Sequence, residues 1–515
     1  MYGAVAIRAI AAFTLAAVHT AAHQAPAAGS APDSAIGYFE GHGDVGQPAI
    51  AGATTYDATA QTYAMSASGV NMWATRDEFQ FAWRRMTGDF IVRTHAAFVG
   101  AGVDPHRKLG WIVRRTLDAD APYVDAAIHG DGLTSLQFRR TAGAITEQVE
   151  STLKAPDVIQ LERKGRTFTM SVAKFGDPFT KTDVADLDLG DEVYVGLFLC
   201  AHNPKVTERA TFSNVRIDVP PKEGWRPYRD YIGSNLEVLE LATGARRVLA
   251  TSPISIQAPN WTPDDKALIY NSEGKLFRFD LATKQATVID TGVAQRNNND
   301  HVLSWGGRML GISSGVPEDN NRSVVFTVPV TGGAPKRITA KSPSYFHSWS
   351  PDNTLLLYTG QRDGELDIYR MAADGSGEEV RLTDAKGVDD GSEYTPDGTW
   401  IYFNSSRTGR MQIWRMKPDG TGQEQITKDD RYNDWFPHIS PDGKTILIIS
   451  YGLDIPSEDH PFYKHVYLRT MDLEGGNLKV VAYVYGGQGS VNVPSWSPDS
   501  RRIAFVSNTA LPAPH

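Results

Sequence analysis

Asn260-Trp-Thr-Pro-Asp264, Trp349-Ser-Pro-Asp352, Tyr394-Thr-Pro-Asp-Gly398, Ile439-Ser-Pro-Asp-Gly443 and Trp496-Ser-Pro-Asp499 are copies of one turn, and their spacing decides the fold. A degenerate copy, Leu303-Ser-Trp-Gly-Gly307, stands between the first two. The Ser/Thr positions 262, 304, 350, 395, 440 and 497 are 42, 46, 45, 45 and 57 residues apart. That interval is the period of a four-stranded propeller blade. The turn chemistry agrees: Pro presets φ at the second position of a type I turn, while Ser/Thr and Asp can bond to the backbone. An alternating strand follows each turn, such as Leu355-Leu-Leu-Tyr358, Trp400-Ile-Tyr-Phe403 or Ile446-Leu-Ile-Ile449. No helical periodicity of useful length interrupts them, so this half reads as all-β.

The ends of the repeat region predict how the ring closes. The last repeat stops after Arg502-Ile-Ala-Phe-Val506, two strands short of a blade. Leu236-Glu-Val-Leu-Glu-Leu241 and Arg246-Arg-Val-Leu-Ala250, ahead of the first repeat, supply the missing outer pair. A blade shared by both termini makes six and removes the exposed sheet edges. These Trp-Ser-Pro-Asp repeats resemble the TolB-like six-bladed propellers of Gram-negative periplasms, over about 235–507. Asn433-Asp-Trp-Phe-Pro-His438 and Gly486-Gly-Gln-Gly-Ser-Val-Asn-Val-Pro-Ser-Trp496 resemble a subgroup labelled Tol-type biopolymer transport components. The resemblance implies a periplasmic scaffold that docks an envelope protein.

The first half lacks the period. Short alternating strands, among them Glu78-Phe-Gln-Phe-Ala-Trp83, Gly110-Trp-Ile-Val113 and Val193-Tyr-Val-Gly-Leu-Phe-Leu199, are separated by Gly-rich turns. That pattern predicts a two-sheet sandwich over 34–219. Thr87-Gly-Asp-Phe90, Gly110-Trp-Ile-Val-Arg-Arg115 and Ala210-Thr-Phe-Ser-Asn-Val215 resemble bacterial concanavalin-A-like jelly rolls, which implies a carbohydrate context. Trp73, Trp83, Trp111 and Tyr123 could stack on sugar rings, although alternation favours the core for them; Arg114, Arg115, Arg139 and Arg140 could hold an acidic saccharide. Pro220, Pro221, Gly224 and Pro227 mark 220–234 as a linker.

Composition narrows the function classes. The 515 residues are 41% hydrophobic with a net charge of −9, which excludes disorder for most of the chain and argues against nucleic acid as a partner. Cys200 is the single cysteine, so no intrachain disulfide forms, and its apolar run reads as buried. Arg8, the apolar run Ala9–Val18 and the small residues after it predict a secretory signal over 1–22. No apolar run is long enough to span a bilayer, so the chain is expected in the periplasm or outside the cell. Gly311-Ile-Ser-Ser-Gly315 matches a nucleophile elbow in spelling only, since no helix follows it.

Aligning the blades brings out a polar series. Just before each turn, where the innermost strand is expected at the channel mouth, blades 2 to 5 offer His301, His347, Glu393 and His438. Asp300, Asp389, Asp390, Asn433 and Asp434 precede them, and Gln488, Asn492, His460 and His465 lie further along. Converging imidazoles and a carboxylate can bind a divalent cation or form an acid–base pair. The arrangement is similar to that of propeller-built pectic oligosaccharide lyases. That similarity implies one cation (Mn, Ca or Zn) on His301, His347 and His438, with Glu393, His465 and Arg296 as catalytic residues beside the substrate. Asp300, Asp390, Asn433, Asp434, Gln488 and Asn492 would bind ligand. His301 and His347 nevertheless stand one strand position away from Glu393 and His438, and neighbouring strand residues face opposite ways. A bulge at Pro437 would resolve this. The expected function is a protein that binds a saccharide at the mouth, acting as a lyase or hydrolase if it cleaves it. The alternative is a non-catalytic TolB-like scaffold.

Overall fold

A computed structural model describes residues 36–226 and 228–510; the segment read as a signal, 1–22, lies outside them. From 41 to 218 the chain forms two seven-stranded antiparallel sheets. In the first, the order is Gly41–Val45, Phe79–Thr87, Glu192–Cys200, Lys108–Arg114, Tyr123–His129, Thr134–Arg139 and Glu147–Glu150. In the second it is Thr180–Val184, Thr167–Ala173, Val158–Lys164, Phe90–Phe98, Glu208–Asp218, Thr62–Ala67 and Ala53–Asp57. Strand alternation sorts side chains between two environments. Val193, Val195, Leu197 and Leu199 enter a core that also takes Val92, Leu161, Met170 and Phe212 from the other sheet. Phe198 and Cys200 point the opposite way, into a smaller cluster with Phe79, Ile112 and Tyr123. Burial there pushes the Cys200 thiol up to about 11, so it stays protonated and unreactive.

The side chains considered for a sugar on this domain are largely committed elsewhere. Trp111 is in the main core, and Tyr123 is buried with its hydroxyl bonded to the Met72 carbonyl and to Thr146 at 2.9 Å. Arg114 and Arg139 are both buried against Asp77, at 2.7 Å each. They form a closed ion cluster, not a free basic face.

The second half is a ring of six sheets. Five have four antiparallel strands each, with innermost strands Gln257–Trp261, Asn297–Leu303, Ser344–Trp349, Asp389–Tyr394 and Tyr432–Ile439. The sixth joins Arg502–Asn508 to Ser234–Glu240 and then Ala245–Ser252, in unbroken register from Ser234 opposite Asn508 to Glu240 opposite Arg502. Its innermost place is reduced to one bridge between Trp496 and Ile503. The repeated turn works as its residue types require. The Ser350 hydroxyl donates to Asp352 at 2.5 Å and accepts from the Leu355 amide at 2.9 Å. The same hydroxyl–carboxylate bond recurs at Thr262, Thr395, Ser440 and Ser497. The Trp before the turn ties blade to blade: Trp349 Nε1 donates to the Val302 carbonyl at 3.0 Å, and Trp496 Nε1 to that of His438 at 2.9 Å.

The two halves are joined by buried charge. Glu237, in the terminal blade, pairs with Arg216 at 2.6 Å and Arg246 at 2.8 Å, and accepts from the Ser507 hydroxyl at 2.5 Å. Arg93 and Arg246 both donate to the Tyr483 carbonyl, at 2.6 and 2.8 Å. The 220–234 segment is docked as well. Trp225 packs on Tyr463, while Tyr228 and Tyr231 pack on Phe462, both in the long connection between Thr445–Gly452 and Lys464–Asp472 of the fifth four-stranded blade.

Candidate functional site

A break in register marks all five four-stranded blades at the innermost strand. It falls between Gln257 and Asn260, Asn297 and His301, Phe346 and Ser348, Asp390 and Glu393, and Trp435 and His438. In blades 1, 4 and 5 the extra residue takes a left-handed backbone, at Ala258, Gly391 and Phe436. A bulge re-aims the side chains on either side of it. Here it splits the polar series into two levels. Residues before and within the breaks line a cavity of about 390 Å³ at the mouth; residues after them sit deeper, toward the Ser-Pro-Asp turns.

At the mouth, three blades contribute Asp300, His347 and Asp390. His347 Nε2 lies 2.7 Å from Asp390 Oδ1, which also accepts from the Thr359 hydroxyl at 2.7 Å. Burial works against ionisation of Asp390, but the charge and contact of His347 outweigh it and hold the carboxyl at about 2. Burial likewise disfavours the His347 cation, yet Asp390 and then Asp300 raise its pKa above the usual imidazole value. Asp300 has no such direct partner: its carboxylate accepts from the Asn298 amide at 2.6 Å, and burial lifts it to about 6. Two carboxyls beside one imidazole thus titrate far apart, about 6 against about 2, so between those values one holds its proton while the other is ionised. The loop after blade 5 closes the wall. Gln488 donates to Asn299 at 3.3 Å, and Asn492 donates to Gln488 at 3.1 Å. His460, whose imidazole pKa burial pushes down, stacks edge-on against Trp435 at 4.4 Å.

Several expected positions are corrected by this geometry. Glu393 and His438 lie below the bulges: Glu393 Oε2 is 2.7 Å from His438 Nδ1, and Glu393 Oε1 accepts from the Ile439 amide at 3.0 Å. His438 Nε2 faces the Val491 carbonyl at 2.7 Å and must donate to it, so both ring nitrogens are engaged. This pair binds blades 4, 5 and 6 together. His301 turns toward blade 1, with Nε2 3.3 Å from the Ile269 carbonyl, and burial depresses it to about 4. The proposed metal ligands His301, His347 and His438 therefore address three separate partners. Among the described residues no group of three His, Cys, Asp or Glu side chains is placed to hold a metal ion. The set does not fit the divalent cation.

His465 is on the third strand of blade 5 and meets Glu162 of the first domain at 3.0 Å, away from the mouth. Arg296 is exposed and bonds Asn321 on its own blade. Asn433 bonds the Met411 amide and the Ile455 carbonyl, and Asp434 takes Arg469 at 2.5 Å and Ser450 at 2.8 Å, so both brace blade 5. Of the expected residues, Asp300, His347, Asp390, Gln488 and Asn492 line the mouth. Tyr345, Asn298, Asn299 and Glu458 join them without having been singled out. The run Asn297-Asn-Asn299 directly before Asp300 was the sequence signal for two of these.

Comparison with known proteins agrees with this architecture. The TolB beta propeller domain family matches residues 319–459. An uncharacterized protein of Agrobacterium fabrum, Atu1656, is 46% identical over 274 residues, which is 53% of this chain and 92% of that protein. A solved structure from Agrobacterium tumefaciens, described as a TolB candidate, is 44% identical with a TM-score of 0.52, covering 55% of this chain and all of the other. With identity at this level sustained over nearly the whole of these relatives, the chain belongs to the TolB-like β-propeller family.

Proposed function

We propose that the protein is exported and binds a saccharide in the propeller mouth, where Asp300, His347 and Asp390 serve as an acid–base set without a metal. The observation that carries this reading is the protonation split between Asp300 and Asp390 across a single buried imidazole in an open polar cavity. Side-chain amides of Asn298, Asn299, Gln488 and Asn492 offer donors and acceptors suited to hydroxyl groups, and Trp435 supplies an aromatic wall. Below about pH 6 a protonated Asp300 can give a proton to a leaving oxygen, while Asp390, ionised and paired with His347, can accept one; that is the requirement of glycoside hydrolysis or elimination. The first domain, read as a concanavalin-A-like jelly roll, adds a second carbohydrate-associated fold.

The test is calorimetric titration with neutral and uronic oligosaccharides, with products followed by mass spectrometry. A saturable ligand whose affinity falls about tenfold or more in His347→Ala and Asp390→Asn supports the reading. Equal affinity in the parent and both variants would overturn it.

A second reading, a non-catalytic scaffold for an envelope protein, is favoured by the opposite end of the channel. There Trp261, Trp305, Trp349, Trp496, Pro263 and Pro441 line an apolar cavity of about 210 Å³. Loss of an envelope-protein contact in Trp305→Ala, with saccharide binding absent in the parent, would favour the scaffold.

A further inference from the structure

The first sheet carries a hollow on the face turned away from the main core. Residues paired directly across strands share a face. Lys108 stands opposite His129, Gly110 opposite Ala127, Asp125 opposite Gln137, and Gln137 opposite Gln148. Lys108, His129, Gln137 and Gln148, with Leu133, form the floor of a hollow on this face. The depression, about 210 Å³, is flanked by Asn71, Trp73, His106 and His202.

Its polar groups are unbalanced. Lys108 is only 2% exposed, and its ammonium donates to Gln137 Oε1 at 3.3 Å; among the described residues it forms no ion pair. Gln137 Nε2 shares its two protons among Ser135 Oγ at 3.2 Å and Gln148 Oε1 and His129 Nε2 at 3.3 Å each; since it can only donate, His129 Nε2 faces it as an acceptor and the ring proton sits on Nδ1. His129 Nδ1 is buried and has no partner among the described residues. Burial holds this imidazole at about 3, hence neutral. Asp125 lies on the same face with neither oxygen partnered, and burial lifts it to about 8, so it leaves the Lys108 charge uncompensated. At the rim, Asp104 is taken by His202 at 3.2 Å. A buried ammonium with no ion pair among the described residues therefore borders a cavity the size of a monosaccharide, beside an imidazole whose Nδ1 is unpartnered. Leaving such groups without a partner is costly.

We propose that this hollow is a second ligand site, separate from the propeller mouth, that binds the carboxylate of a small hydroxylated acid of monosaccharide size. The carboxylate pairs with Lys108, the amide of Gln148 meets hydroxyl groups, and Trp73 flanks the ring.

The experiment is calorimetric titration of the full chain carrying His347→Ala, which separates this site from the mouth. The probes are D-galacturonate and D-galactose, which differ in the carboxylate alone. Galacturonate is expected to bind saturably and galactose not at the same concentration, with Lys108→Met weakening galacturonate about tenfold or more. Trp73→Ala, at the partly buried rim, tests the same site without touching a buried charge and is expected to weaken binding about fivefold. The proposal is overturned by equal binding of galactose, by unchanged affinity in either folded variant, or by no saturable heat from galacturonate up to about 20 mM. None of these outcomes bears on saccharide binding at the mouth, which the same titrations in the His347 parent read independently.

Discussion

Asp300 and Asp390 show how much a single contact decides. Both carboxyls lie at the mouth, Asp300 buried and Asp390 partly so, yet Asp390 touches His347 and stays ionised, while Asp300 does not and reaches about 6. For Asp300 the folded value lies above the ordinary 3.8, so the folded state holds its proton more tightly than the unfolded chain does. Its penalty is therefore absent below pH 3.8, grows as pH rises between 3.8 and about 6, and is constant above that. The full cost is up to about 3 kcal/mol. Asp300→Asn is expected to raise Tm at pH 7.5 and to change it little at pH 4, measured by scanning calorimetry at both. An equal shift at both pH values would show that Asp300 does not titrate in this window. If Asp300 also acts as the acid, the same variant removes the limb near pH 6 from any activity profile.

The bulge is the element that matters most. Without it, Glu393 and His438 would be level with the mouth residues; with it, they are drawn down to pin three blades. Gly391 holds one of these breaks at φ +64°, and a Cβ there would collide with Asn404 Oδ1 and crowd Phe436. Gly391→Ala is expected to cost about 2 kcal/mol or more, through the left-handed backbone and the contact together, and to displace Asp390 beside it. Urea unfolding checks the first part, and ligand affinity at the mouth the second. A variant with parent stability would mean that the bulge has relaxed to regular strand. His465 illustrates the same lesson at the third strand, where a residue read as catalytic instead packs against the neighbouring domain.

For the whole molecule, closure and docking depend on the same terminal blade. Seven successive residue pairs join 502–508 to 234–240, and Glu237 in that blade also anchors Arg216 of the first domain. Truncation after Arg501 removes the partner strand and exposes a long edge, so the product is expected to aggregate instead of yielding a five-bladed monomer, as size-exclusion chromatography would show. Burial opposes the Glu237 charge, but Arg216 and Arg246 hold it far below the usual carboxylate range. Glu237→Ala strands two buried guanidinium groups, and about 3–5 kcal/mol of destabilisation is expected. It should also split a single calorimetric transition into two, since the shared carboxylate is a main tie between the halves. A single undiminished transition would locate the coupling in the Phe179–Tyr483 and Tyr467 contacts instead.

The sequence by itself determined the propeller, its six blades and its closure. Those depend on local turn chemistry and a period, both of which are written along the chain and need no distant partner. It also contained the mouth residues Asp300, His347 and Asp390, because each repeat places its inner strand at a fixed distance from its turn, and Gln488 and Asn492 on the loop after blade 5. What only the tertiary structure decided was level and facing. A one-residue bulge reverses side-chain direction without leaving a mark in hydrophobic periodicity, so Glu393 and His438 could not be told from their neighbours. The hollow at Lys108 is further still from the sequence. Its groups come from strands brought together by cross-strand register, and its missing counter-charge becomes visible only once burial has neutralised Asp125.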